Sequence, residues 1–128
     1  MESDKTTTIS ELREKVKDFI HERDWAKYHN PKDIAVSITI EVGELLEIFQ
    51  WVKENELDEM VGNPKKLVEL EEELADIIIY CLSLANVLNI DVSKAVTEKI
   101  DKNNEKYPID KVKGHYKKYT ELGVDKHE

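Results

Sequence analysis

The sequence predicts an all-α fold, a helical bundle of four main helices, and three observations carry that expectation. Only four Gly and three Pro occur in 128 residues, and no stretch alternates apolar and polar residues for long. Two Asn-Pro pairs, Asn30-Pro31 and Asn63-Pro64, each head an apolar run of helical period, the pattern of an N-cap followed by proline at the first helical position. The 40% hydrophobic and 37% charged fractions suit amphipathic helices and are too apolar for a disordered chain.

The elements follow in order. Residues 1–9 are polar and Thr-rich and read as a flexible N-terminus, ahead of one helical domain over 10–107 and a basic, aromatic tail over 108–128. Ser10 is the expected cap of a first helix over about 11–23, with Leu12, Val16, Phe19 and Ile20 on one face. After the linker "DWAKYHNP", Asn30 caps a second helix over about 31–53, and Asp33 suits its positive end. Asn63 caps a third helix over about 64–88. Asp91 caps a fourth over about 92–105, which must stop before Tyr107-Pro108.

Bulk charge excludes some functions. A net charge of −9 disfavours non-specific nucleic-acid binding, so an anionic ligand needs a divalent cation or a local basic patch. No apolar run approaches the ~20 residues of a membrane span, and the N-terminus lacks the regions of a signal peptide. With Cys81 alone, an intramolecular disulfide is impossible. A cytoplasmic protein, bound to neither membrane nor nucleic acid, is expected.

Two helices carry acids where apolar residues belong. On the second helix Ile34, Ile38, Leu45, Ile48 and Val52 form one stripe, and Glu41 falls within it, with Glu44 at its border. On the third the stripe is Leu70, Leu74, Ile77, Cys81, Leu84 and Leu88; Glu73 and Asp76 lie along its edge, followed by Tyr80. Each helix thus offers an acid pair spaced three apart, and residues at that spacing are surface neighbours. Packed together, the four carboxylates would repel and lose hydration unless a cation compensates. Mg²⁺, which prefers carboxylates, waters and phosphates, suits that donor set. Such pairs more often sit on solvated faces, as expected for Glu47, Glu71 and Glu72, so spacing alone leaves both readings open. A di-iron bundle is disfavoured because no Glu-x-x-His pair occurs on either helix.

Gly43 costs about 1 kcal/mol relative to Ala inside a helix. It lies opposite the Ile38 stripe, near Val36 and Ile40, so the helix is apolar on two sides. A second packing partner, such as another subunit, accounts for both features.

At these residues the chain resembles a known family. "EVGELLEIFQW" followed by "EEELADIIIYCLSLA" is similar to the MazG-like, all-α nucleoside triphosphate pyrophosphohydrolases, whose signature is E-x-x-E then E-x-x-D. "ERDWAKYHNPKD", "KIDKNNEKYP" and "KKYTEL" extend the resemblance to the dCTP pyrophosphatase branch, over roughly residues 10–122. The resemblance implies Mg²⁺-dependent hydrolysis of a nucleoside triphosphate to a monophosphate and pyrophosphate. It implies Glu41, Glu73 and Asp76 as metal ligands, with Glu44 either a fourth ligand or the group that orients the attacking water. Asn103 and Lys99, with Lys117 and Lys118 in the tail, are implied for the phosphates. Trp25, Trp51, His29 and Tyr80 are the candidates for stacking on or hydrogen bonding to the base. A homotetramer built from dimers is implied as well. The branch carries His on the first helix where this chain has Val16, so the base, whether cytosine, a modified cytosine or another pyrimidine, stays open. Two alternatives remain: a non-catalytic acidic interaction module, and the same fold acting on phosphoribosyl-ATP.

Overall fold

Residues 1–114 are described by a computed structural model, and every regular element among them is helical. The first helix, α1 (Ile9–Glu22), is capped by Thr8, two residues before the expected cap. Thr8 accepts from the Glu11 amide at 3.1 Å, and Glu11 Oε2 accepts from the Thr8 amide at 3.3 Å, a reciprocal capping box. Ser10 has no such option, because Arg13 stands three residues on and offers no acceptor. Upstream, residues 3–7 close a hydrogen-bonded turn, with the Thr6 and Thr7 amides donating to Ser3 O.

The two Asn-Pro helices form as expected at their starts. In α2 (Pro31–Phe49) Asn30 accepts from the Asp33 amide, and in α4 (Pro64–Leu88) Asn63 accepts from the Lys65 and Lys66 amides. The expected extension of α2 to residue 53 does not occur. Its end tightens into three-residue turns, Gln50 N–H to Glu47 O and Val52 N–H to Phe49 O, and Lys53 then caps a 3₁₀ turn over Glu54–Glu56. A short α3 (Leu57–Gly62), absent from the expected set, follows and buries Met60. Asn89 ends α4 in the left-handed conformation at φ 54°, one of the few non-glycine residues suited to it.

The described residues fall into two compact units, one over Met1–Ile90 and one from Asp91 onward. In the first, α4 is the central element, packed mainly along α2 and also against α1 and α3. Pairings along α2 and α4 run in opposite senses: His29 with Ser83, Glu41 with Glu73 and Asp76, Ile48 and Trp51 with Lys66 and Glu69. The two helices are therefore antiparallel. Arg13 Nε donates to Asn86 Oδ1 at 2.9 Å, and Asn86 Nδ2 donates to Arg13 O at 3.1 Å, which ties α1 to the last turns of α4. Val16, Ile20, Ile34, Met60, Leu82 and Ala85 form the core.

The face that α4 buries differs from its expected stripe. Leu82, Ser83 and Ala85 are buried, whereas Leu74, Cys81 and Leu88 are exposed. With Ile77, Ile78 and Ile79 in succession, α4 is apolar around much of its circumference, and periodicity alone does not say which side meets its own chain. The α2 stripe holds better: Ile34 is buried and Ile38, Leu45, Ile48 and Val52 are half-buried.

In the second unit α5 (Val92–Lys106) is capped by Asp91, which accepts from the Lys94 amide at 3.0 Å. A short α6 (Ile109–Val112) follows Pro108.

Candidate functional site

Antiparallel packing of α2 on α4 brings the acids of both helices together. One carboxylate oxygen from each of Glu41, Glu73 and Asp76 lies within 4.8 Å of the other two. Glu41 Oε2 and Glu73 Oε2 are buried and have no hydrogen-bond partner among the described residues. A buried carboxylate oxygen without a donor costs free energy that a cation would recover.

Electrostatics point the same way. Loss of hydration, then the hydrogen bond and charge of Glu44, then the charges of Asp76 and Glu73 push the Glu41 carboxyl up to about 7. Glu73 is raised by desolvation and by Glu44 and Asp76, with a hydrogen bond to Glu41 partly offsetting this. Such a cluster suits a hard divalent cation, because added positive charge removes the repulsion that raises these groups. The donor set is all oxygen, which fits Mg²⁺ or Ca²⁺ better than a softer metal. Glu44, one turn from Glu41, lies outside the trio yet perturbs both of its buried members.

A cavity of about 670 Å³ adjoins the acids towards the start of α4. Glu44 and Glu73 line one side, and Trp51, Ile48, Lys66 and Glu69 continue the wall. Trp51 is 84% exposed there, so its ring is not packed against the described residues. Lys66, which sequence reasoning passed over, pairs with Glu69 at 3.4 Å in the same wall.

Two turns beyond Asp76, towards the other end of α4, stands a second polar feature. His29 Nδ1 lies 3.2 Å from Ser83 Oγ, and Ser83 is 2% exposed. Tyr80, half-buried, lies between Asp76 and Ser83 on the same face. Ser83 also escaped sequence reasoning; the only signal was a hydroxyl within the apolar run "YCLSLA". Trp25 stacks edge-on against Phe19 at 5.8 Å, with Arg23 over the Phe19 ring at 3.8 Å, and remains 44% exposed. Val16 is a buried core residue of α1. Lys99 and Asn103 stand one turn apart on α5, both exposed, while Lys117 and Lys118 lie outside the described residues. No single helix among the described residues is long and apolar enough to cross a membrane.

The chain is similar to known proteins. A model of the MazG-like family matches residues 36–122. The chain is 37% identical to dCTP pyrophosphatase 1 of Rattus norvegicus over 115 residues, 90% of this chain and 68% of that one. It is 36% identical to dCTP pyrophosphatase 1 of Homo sapiens over the same lengths. Its structure superposes on the crystal structure of a pyrophosphatase from Archaeoglobus fulgidus with a TM-score of 0.73 and 48% identity, covering 78% of this chain and 92% of the other.

Proposed function

This chain belongs to the MazG-like family, and from that premise we propose that it is a Mg²⁺-dependent nucleoside triphosphate pyrophosphohydrolase. Its substrate is dCTP or a closely related pyrimidine deoxynucleotide, cleaved to the monophosphate and pyrophosphate. The observation that carries the reading is the convergence of Glu41, Glu73 and Asp76, with two buried oxygens lacking partners. The dCTP preference is supported by the relatives' activity and by 37% identity over 90% of the chain.

Glu41, Glu73 and Asp76 are the proposed metal ligands. Mg²⁺ held by these residues would supply charge neutralisation at the phosphate oxygens and ease deprotonation of a water. Glu44, close to the trio but outside it, would orient the attacking water and accept its proton. The water oxygen forms a bond to the α-phosphorus, the bond to the bridging oxygen breaks, and pyrophosphate leaves with that electron pair. Lys99 and Asn103, with Lys117 and Lys118, are proposed phosphate contacts on family resemblance. Trp25, Trp51, His29 and Tyr80 are the proposed contacts to the nucleoside.

We also propose a homo-oligomer, with a tetramer built from dimers as the favoured form. Val36 and Ile40 are 49% and 57% exposed on the side of α2 away from its buried stripe. A Cβ at Gly43 would meet nothing within 4 Å, which leaves room for another backbone there.

Incubation with a panel of canonical and modified nucleotides, with and without Mg²⁺, tests the function. The expected result is pyrophosphate release, fastest for a cytosine deoxynucleotide and lost on chelation. Release of single phosphates, or turnover indifferent to chelation, would overturn it.

A further inference from the structure

The hydrogen bond between His29 and Ser83 joins the connector before α2 to the second half of α4, and none of the metal chemistry uses it. Ser83 is 2% exposed, within an otherwise apolar stretch. A buried hydroxyl must place its proton on an acceptor or lose the free energy of a hydrogen bond. Serine inside a helix often donates to the carbonyl one turn back, but here the partner among the described residues is His29 Nδ1. Either atom can be the donor, depending on the ring's tautomer, and donation from the hydroxyl to the ring is the arrangement that satisfies the buried hydroxyl proton. A neutral imidazole accepting at Nδ1 carries its proton on Nε2. That nitrogen has no partner among the described residues and stands as an unused donor on a half-buried ring.

Its place in the molecule gives this donor a use. Ser83 is seven residues beyond Asp76, two helical turns along the same face, or roughly 10 Å. Tyr80 fills the interval. A nucleoside whose phosphate is held at the acids is long enough to span that gap. We propose that Ser83 is a positioning residue. Its hydroxyl holds His29 as the Nε2–H tautomer, and the ring thereby offers one hydrogen-bond donor to an acceptor atom on the substrate's base. Pyrimidines of the cytosine type carry such acceptors at the ring nitrogen and the carbonyl. The proposal rests on the pyrophosphohydrolase reading and adds the residue that prepares base recognition.

Steady-state kinetics with dCTP, and with a deoxyribose triphosphate lacking the base, test it on the full chain. His29→Ala and Ser83→Ala should each raise KM for dCTP about tenfold, the usual size of one lost hydrogen bond, with kcat moved by less than twofold. The double variant should be no worse than His29→Ala alone, because both remove the same contact. The baseless triphosphate should show no difference between wild type and either variant. Nitrogen NMR of the His29 ring should show a single Nε2–H tautomer in the wild type and a mixture in Ser83→Ala. His29 lies in a connector, so His29→Ala reports on the contact even where Ser83→Ala lowers stability. Wild-type KM in Ser83→Ala, an Nδ1–H tautomer in the wild type, or an equal loss with the baseless triphosphate each overturns the proposal. An increase in KM confined to Trp51→Ala would place the base in the cavity instead and overturn it too. Absence of pyrophosphate release from the wild type has a separate meaning: it removes the enzymatic reading and the ligand role of His29 with it.

Discussion

Glu41 is a carboxyl whose ordinary value of 4.5 is pushed up to about 7 by lost hydration and by Glu44, Asp76 and Glu73. That shift ties stability to pH with a definite sign. The metal-free fold holds the Glu41 proton more tightly than the unfolded chain does. The resulting stabilisation is complete below about 4.5 and is lost as pH rises through about 7. Thermal melts in chelator should therefore show Glu41→Gln more stable than wild type at pH 8, with the difference shrinking towards pH 5. The same substitution should reduce pyrophosphate release at least a hundredfold while the helical circular dichroism signal stays intact. Retained Mg²⁺-dependent turnover in that variant would exclude Glu41 as a ligand. Protons and metal compete for the same oxygens, so calorimetric Mg²⁺ affinity should weaken from pH 8 to pH 6. These acids were legible in the sequence because a carboxylate inside an aliphatic stripe contradicts the period around it. Ser83 was not, since a small hydroxyl among Leu and Ala breaks no pattern until His29 is brought to it from 54 residues away.

At the scale of elements, side-chain caps set where the main helices begin. Asn63 Oδ1 accepts from two amides, Lys65 at 2.9 Å and Lys66 at 3.4 Å, and so satisfies free donors at the head of the helix that carries Glu73 and Asp76. Asn63→Ala should cost about 1 kcal/mol, seen as a drop in Tm of roughly 3–5 °C; an unchanged Tm would mean that α3 packing alone sets the start of α4. The starts of α2, α4 and α5 were readable because Asn-Pro and Asp91 announce themselves locally. The start of α1 was not, since its capping box centres on Thr8 and not Ser10. Ends were less readable. Nothing between Phe49 and Lys53 forbids another helical turn, and α2 stops where Lys53 and Glu56 close a competing cap. The short α3 was invisible for a related reason: Met60 is its only buried residue, so it shows no apolar period.

At the scale of the whole molecule, the described chain leaves much apolar surface uncovered. Ile40 and Leu46 on α2 are 57% and 62% exposed, and Leu74 on α4 is 52% exposed. Patches of this kind mark interaction surfaces. Sedimentation should give a mass at least twice 14.9 kDa, and Ile40→Glu should shift it towards the monomer and lower the Tm, since it places a charge on a face that the proposed oligomer would dry. A monomeric wild type would remove the proposed assembly. The all-α class was readable from composition and period alone. Which apolar side of α4 meets its own chain was not, because that choice depends on what else packs there.

The uninterrupted course of α4 has a consequence for how this chain can change. Glu73, Asp76, Tyr80 and Ser83 are spaced by helical turns over one continuous element, Pro64–Leu88. Each added or deleted residue within it rotates everything downstream by about 100°. One deletion between Asp76 and Ser83 would turn the serine away from His29 and leave the acids in place. The interval from Glu73 to Ser83 therefore behaves as a ruler with fixed divisions.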